Sequence, residues 1–290
     1  MRSIARGELS RFSRALSRSK KEAAQNARDL ARLFKRGEFR PERCFVAERD
    51  GEIVARLAYW ALPDSPRDLH IALFRFRRRR DGVALLRDTL RRVRGRSADC
   101  CVTGSGPALR ALEDAGFRLA HDRCRYMRRR TTRLRVPDRL TYRPWSEVGE
   151  RAYLDAILRV TKGTLDRMDG DDARRRGPRA AARTYLSVLK MVERPCDRWE
   201  LAYDASGALA GLVVPQILRP GEGCINYIGV VPERRGHGYS RDLLARGVSS
   251  LRVREIVADI DVENRPLARA LRAVGFRLRK RMRTMERRLG

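Results

Sequence analysis

Two copies of one α/β (α+β) unit joined in tandem are what this sequence predicts, and three correspondences between its halves predict it. PALRALEDAGFRL from Pro107 and PLARALRAVGFRL from Pro266 share a helix followed by Gly-Phe, 159 residues apart. VAERDGEIVARLAYW from Val46 and LAYDASGALAGLVVP from Leu201 both read as hairpins, with turn glycines Gly51 and Gly207 spaced by 156. Between hairpin and helix, Arg79–Ala84 falls opposite Arg235–Ser240, again 156 residues on. Three features in one order at nearly one spacing mark a duplication.

Periodicity justifies the elements in turn. Residues 3–36 carry apolar positions at helical spacing, among them Ile4, Leu9, Phe12, Leu16, Ala23, Leu30 and Leu33. A hairpin at about 44–60, a strand at His70–Phe76, a helix at about 82–94, a strand at Ala98–Thr103 and a helix at about 107–115 follow. RLAHDRCRYMRRR alternates as a closing strand, and RTTRLRVPD, ending at Pro137-Asp138, reads as the connector. The expected division is therefore residues 1–136 and 137–290. The second half starts with the strand LTYRPW and continues with helices at about 146–162 and 178–192 and a hairpin at 199–217. INYIGVV, GYSRDLLARGVSSL, EIVADIDV and RPLARALRAV then alternate strand and helix, and RLRKRMRTMERRL closes the unit.

Composition bounds the partners. With 290 residues and 42% hydrophobic content, the chain can build two ordinary cores. It carries 66 Lys+Arg against 36 Asp+Glu, a formal charge of +30, with the excess heavier in residues 1–138 (35 against 17) than in 139–290 (31 against 19). Such a charge favours anionic partners, nucleic acid or an acidic protein, although arginines decorating solvated faces would give the same total. Six cysteines form no C-x-x-C pair and only three histidines exist, so no metal site is expected. The thiols read as reduced and the protein as cytoplasmic. No apolar run is long enough for membrane insertion. The Arg- and Ser-rich start contains Glu8 and runs on into helical pattern, which makes it part of the fold.

The sharpest chemistry lies in YIGVVPERRGHGYSRDLL, from Tyr227. A buried strand ends at Pro232, which cannot donate to a ladder, and a basic glycine loop leads straight into an amphipathic helix. A diphosphate binds where backbone N–H groups and a helix N-terminus converge, and Gly236 and Gly238 remove the side chains that would block its approach. Arg235 would add charge at the mouth, with His237, Tyr239 and Ser240 completing the loop.

The order of elements, the loop and the closing Gly-Phe resemble the GNAT acyltransferase superfamily. The loop is similar to that family's Arg/Gln-x-x-Gly-x-Gly/Ala motif: Arg235 and Gly238 match, and Ser240 stands where Gly or Ala is usual. The resemblance implies tandem GNAT-like units, each a mixed, mostly antiparallel twisted sheet flanked by helices. It further implies acetyl-CoA as cosubstrate, backbone contacts from Val230 and Val231 to pantetheine, and Asn264 near the pantetheine or the thiol. Asn264 reads equally as a helix N-cap before Pro266. The implied reaction is direct attack of an amine on the thioester, with a backbone N–H, that of Val230, polarising the carbonyl. Many members place a tyrosine seven residues after that Asn to protonate the leaving thiolate; Leu271 stands there, and Leu112 in the first unit. No residue declares itself as the base, and Asn226, Glu222 and Asp261 are the candidates. Tyr227 reads as a cleft wall and His237 as solvent-facing.

The first unit offers Arg79, Gly82 and Ala84 inside FRFRRRRDG, without the Val-Val-Pro lead-in or the double glycine, and reads as a degenerate copy. For the acceptor, TLDRMDGDDARRRGPR supplies Asp166, Asp169, Asp171 and Asp172, the one dense acidic cluster. It could attract a cationic amine, or be a surface loop balanced by its neighbouring arginines. The expected function is an acyl-CoA-dependent N-acetyltransferase working in the second unit. Two alternatives stand beside it: a basic nucleic-acid- or ribosome-associated protein with a vestigial site, suggested by Arg128–Arg130 and RLRKRMRTMERR, and a non-catalytic CoA sensor.

Overall fold

A computed structural model describes residues 1–35, 40–62, 65–129 and 134–289. Arg36, Arg130 and the first part of the expected connector lie outside the described residues. In chain order the first stretch contains β1 (Arg2–Ser3), α1 (Leu9–Arg14), α2 (Lys20–Lys35), β2 (Cys44–Arg49), β3 (Glu52–Leu62), β4 (Ser65–Phe76), α3 (Arg79–Arg92), β5 (Ser97–Thr103), α4 (Pro107–Asp114) and β6 (Arg118–Arg129). The second contains β7 (Thr141–Pro144), α5 (Trp145–Thr161), α6 (Arg167–Arg176), α7 (Pro178–Val192), β8 (Glu200–Tyr203), β9 (Leu209–Arg219), β10 (Glu222–Val230), α8 (Tyr239–Ser250), β11 (Glu255–Asp261), α9 (Arg265–Ala273) and β12 (Arg277–Arg288).

The compact units do not follow the expected boundary at 136/137. One comprises Met1–Asp122 with Met282–Gly290, the other Arg123–Arg281. The reason lies in the two closing strands. Met282–Arg288 of β12 pairs antiparallel with β5, completing the first unit's sheet. Arg123–Arg129 of β6 pairs antiparallel with β11 of the second. Each copy closes the other's sheet. Alternating polarity predicts a strand at both places but carries no information about which edge it will occupy.

Within each unit the sheet is antiparallel except for one pair: β4 beside β5 in the first, β10 beside β11 in the second. In the first unit Leu57, Leu85, Leu86, Leu112, Phe117 and Met285 form the core under α3 and α4. On its other face Phe12 and Leu30 bring α1 and α2 onto Val46 and Ala58. The second unit repeats this arrangement. Leu243, Leu244, Leu271 and Phe276 pack beneath α8 and α9, while Tyr153, Ile157, Leu186 and Trp199 seat α5 and α7 on the opposite face.

Two local expectations change. The helical pattern of residues 3–36 is interrupted: Ala15 is extended and Leu16 takes φ 56°, separating α1 from α2. The acidic segment contains a helix, α6, rather than a loop. Asp166 caps it by accepting from the Met168 and Asp169 N–H groups, and Asp171–Arg174 and Asp172–Arg176 pairs at helical spacing support its exposed side. Gly170 and the scarcity of apolar residues hide this helix from a periodicity reading. Among the described residues, no helix is long and apolar enough to cross a membrane.

Candidate active site in the second unit

β10 and β11 are in register only over Glu222–Cys224 and Glu255–Val257, and beyond Cys224 they separate. The wedge is lined by Ile225–Gly229 of β10 and Ala258–Ile260 of β11. A cavity of about 70 Å³ lies there, closed by Thr164, Asp166, Asp169 and Tyr185 from the α5–α7 segment and by Asn264, Leu267 and Leu271 from α9. Gly229 is needed for this closure, because a Cβ there would come within 2.6 Å of Val160 on α5.

Past the wedge, β10 ends at Val230. Pro232–Arg234 forms a 3₁₀ turn, and the glycine loop runs into α8. Gly236 and Gly238 both take left-handed φ, +86° and +82°, which is strained for any other residue. Gly238 is the N-cap of α8. The N–H groups of Gly238, Tyr239 and Ser240 find no acceptor among the described residues, and Arg241 is the first to close back, onto the Gly238 carbonyl at 2.9 Å. Free N–H groups on a helix with no side-chain cap are suited to an anion. Ser240 therefore leaves the backbone approach open. Arg139, outside the motif, braces the loop. It donates to the His237 carbonyl at 3.2 Å and to buried Asp242 at 2.7 Å, and its guanidinium lies over the Tyr239 ring. His237 is exposed, its ring stacked on Tyr239.

The Arg235 side chain is not at the mouth of the loop. It donates to the carbonyls of Val160, Lys162 and Gly163 at 2.8–3.0 Å and to that of Val230 at 3.2 Å. The guanidinium thus ties the C-terminal end of α5, where a helix leaves carbonyls over and favours a cation, to the strand that feeds the loop. Arg235→Ala is expected to release this tie. Hydrogen exchange at the α5 C-terminus should speed up by tenfold or more while α8 stays protected; unchanged exchange at α5 would refute the clamp.

The other sequence candidates divide. Val231 donates its N–H to the Ala210 carbonyl at 3.0 Å, so that group is spent on the sheet. The alternation of a strand then turns the Val230 N–H toward the wedge. Asn264 caps α9 through its side chain, bonded to the Leu267 N–H at 3.2 Å, while also lining the cavity. Asn226 lines the cavity with its amide donated to Gln216. Glu222 is at the far end of β10, roughly 26 Å of strand from Val230, and is paired with Arg219. Asp261 is buried and accepts from the Arg167 and Glu263 N–H groups, fixing the α6 entry and the turn after β11. Neither of these two carboxylates faces the cavity. Leu271 does, and it is fully buried.

Sequence reasoning missed the acid–base role that Asp169 can play. Asp171 and Asp172 are balanced by exposed arginines, as the surface reading expected, whereas Asp166 and Asp169 line the cavity, Asp166 paired there with Arg123 at 3.6 Å. Burial, followed by the charge of Asp166, pushes the Asp169 carboxyl up to about 7, with Arg123 opposing. Beside it the rings of Tyr185 and Tyr227 are 4.5 Å apart. The Thr161 hydroxyl donates to Ile157, so the Tyr227 hydroxyl donates to Thr161. Burial raises both tyrosines well above the usual phenol range, which keeps them neutral. The signal for Asp169 was its place in a segment resembling an acceptor lid; its burial became visible only when α6 folded over the wedge.

The first unit also has a wedge, since β4 and β5 are in register only over Asp68–Ile71 and Ser97–Cys100. It has no glycine loop. α3 begins directly at Arg79, and Gly82 is buried within it, where a Cβ would come within 2.5 Å of Phe76. Arg77 and Arg79 are paired to Glu52 and Asp114.

A mixed sheet with one parallel wedge, a helix started by a glycine loop, and a second copy in tandem together define the fold of tandem GCN5-related N-acetyltransferases. The chain is similar over 99% of its length to 95% of such a protein from Sphaerobacter thermophilus, at 19% identity and a TM-score of 0.66. It is similar over 98% of its length to 94% of a tandem GNAT protein from the clavulanic acid biosynthesis pathway, at 17% identity and 0.57. A GCN5-related N-acetyltransferase from Anabaena variabilis matches at 13% identity and 0.51, covering 100% of this chain and 72% of that one. No protein-family model and no curated protein matches the chain.

Proposed function

We propose that the second unit transfers an acyl group, acetyl in the first instance, from acyl-CoA to a primary amine. One observation carries this reading: the wedge between β10 and β11 joins an uncapped, glycine-started helix N-terminus to a cavity holding a carboxyl group poised near neutrality. The α8 N-terminus receives the diphosphate, and pantetheine lies along the wedge in place of the missing ladder partner, met by the Val230 N–H. The thioester then reaches the cavity, where Asp169 takes the proton of the incoming amine. Asp169 and Asp166 also favour a cationic acceptor. With Leu271 where a tyrosine is usual, the thiolate leaves without a dedicated acid at that position. The Tyr185 hydroxyl, which lines the cavity and whose bond to the Asn226 carbonyl is long at 3.5 Å, is our candidate to protonate it.

Calorimetric titration of acetyl-CoA into wild type and Gly238→Glu, at moderate salt, tests the reading. A side chain at φ +82° is strained, and a carboxylate at the helix N-terminus repels phosphate. Micromolar binding, about 8 kcal/mol, is expected for wild type and at least a hundredfold loss for the variant. Equal, salt-sensitive binding by both would show that the +30 charge attracts phosphates generally.

A further inference from the structure

The first unit buries a cation that no described carboxylate grips. Arg56 of β3 is 0% exposed, on the sheet face covered by α1 and α2. Its Nη1 donates to the Phe12 carbonyl, and its guanidinium lies 5.6 Å from the Phe12 ring. Nε and Nη2 are buried and have no hydrogen-bond partner among the described residues. Those two atoms form the edge with which arginines elsewhere in this chain grip carboxylates: Arg125 on Asp259 at 2.7 and 2.5 Å, Arg246 on Glu200 at 2.8 and 2.5 Å. On Arg56 no described carboxylate meets that edge.

Its surroundings sharpen the contrast. Arg75 of β4 is directly opposite Arg56 in register, a like-charge pair that opposes strand pairing. Glu22 of α2 is bonded to Arg75 at 2.9 Å, leaving two guanidiniums beside one carboxylate. Burial first, then Arg75, lowers Arg56 to about 10, while Glu22 acts the other way. Farther along the same face Trp60 meets His70 with ring centroids 4.3 Å apart, and His70 donates to Asp99 at 2.6 Å. The fold does not require an arginine here. The counterpart of Arg56, 156 residues on, is Leu212, buried among Tyr153 and Trp199. A buried, unpaired guanidinium is destabilising, and an apolar residue would avoid that cost.

We propose that this face of the first unit is a binding site for a small organic carboxylate, held by the Nε–Nη2 edge of Arg56 with Arg75 beside it. A planar carboxylate supplies two acceptors at the spacing of that edge and neutralises the excess cation. Where the second unit gathers carboxyl groups and tyrosines under its helical cover, the first gathers cations and an aromatic pair. The two copies have thus diverged toward ligands of opposite charge. The site is independent of acyl-CoA chemistry.

The test uses the whole protein, with sodium acetate and sodium benzoate as probes against sodium chloride at equal ionic strength. Either carboxylate is expected to raise the melting temperature of wild type saturably. Arg56→Met should bind at least tenfold more weakly, and Arg91→Gln, which removes an exposed arginine, should respond like wild type. Identical responses in wild type and Arg56→Met, or none in wild type, would overturn the proposal. Should Arg56→Met fail to fold, the Arg56 Nε–H resonance of wild type, assigned by its absence in Arg56→Lys, decides. It must shift saturably with carboxylate and not with chloride. An unmoved resonance would show that Arg56 is structural.

Discussion

A fragment ending at Val136, the division that the repeat suggests, is expected not to fold. It lacks Met282–Leu289, which supplies the strand beside β5 over seven register pairs. Without it the β5 edge is bare and the core loses Met285, 2% exposed among Leu57, Leu86 and Phe117. It also loses the Arg283 bond to the Gly104 carbonyl (3.0 Å), the Arg287 bond to the Ala115 carbonyl (2.6 Å) and the Leu289 N–H bond to Arg96 (2.9 Å). Burying a methionine contributes about 2 kcal/mol and each hydrogen bond about 1 kcal/mol. A domain has only about 5–15 kcal/mol of net stability, so the combined loss is comparable with the whole. The same fragment keeps Arg123–Arg129 without β11, exposing Tyr126, which is 2% exposed in the intact chain. Far-UV circular dichroism should show no cooperative melt for residues 1–136. Residues 1–122 joined through a Gly/Ser linker to 282–290 should melt cooperatively. A cooperative native-like melt of 1–136 would refute the exchange of closing strands.

The second large effect is at Asp169. Asp169→Asn is expected to lower kcat/KM by about 10²–10³-fold, the range for losing a general base. In wild type, activity should rise tenfold per pH unit up to about 7 and level off above it, because the carboxylate is the working form. The variant should lose that limb. Stability should move in the opposite direction. The folded carboxyl is raised from 3.8 to about 7, so the folded state holds a proton that the unfolded chain has released. Folding stability is therefore present below the lower value and is lost as pH rises through this window. Asn carries no such penalty. The variant should melt above wild type at pH 8, and the difference should vanish near pH 4. A variant with full activity, or a melting difference that does not change with pH, would remove Asp169 from the base role.

The carboxylate proposed as the base was the hardest feature to see in the sequence because nothing local marks it. Asp169 is one of four aspartates within seven residues, and its neighbours Asp171 and Asp172 are ordinary surface ion pairs. Glu222 and Asp261 were the natural sequence candidates, being adjacent to the strands of the wedge. Yet a strand carries residue 222 to the end away from the loop, and Asp261 is held by two backbone N–H groups. Arg235 was read as a phosphate contact from its motif position, whereas its length lets it reach three carbonyls of another element.

The sequence by itself determined the duplicated α/β order, the strand–glycine loop–helix whose free N–H groups suit an anion, and the absence of a comparable loop from the first copy. These are local properties: periodicity sets the element, and a glycine's missing Cβ sets the turn. The tertiary structure alone decided which sheet each closing strand completes, which aspartate is driven toward neutrality, and that Arg56 is buried with two guanidinium nitrogens unpaired among the described residues. Each of those depends on pairing or burial by elements distant in the chain, which no local pattern encodes.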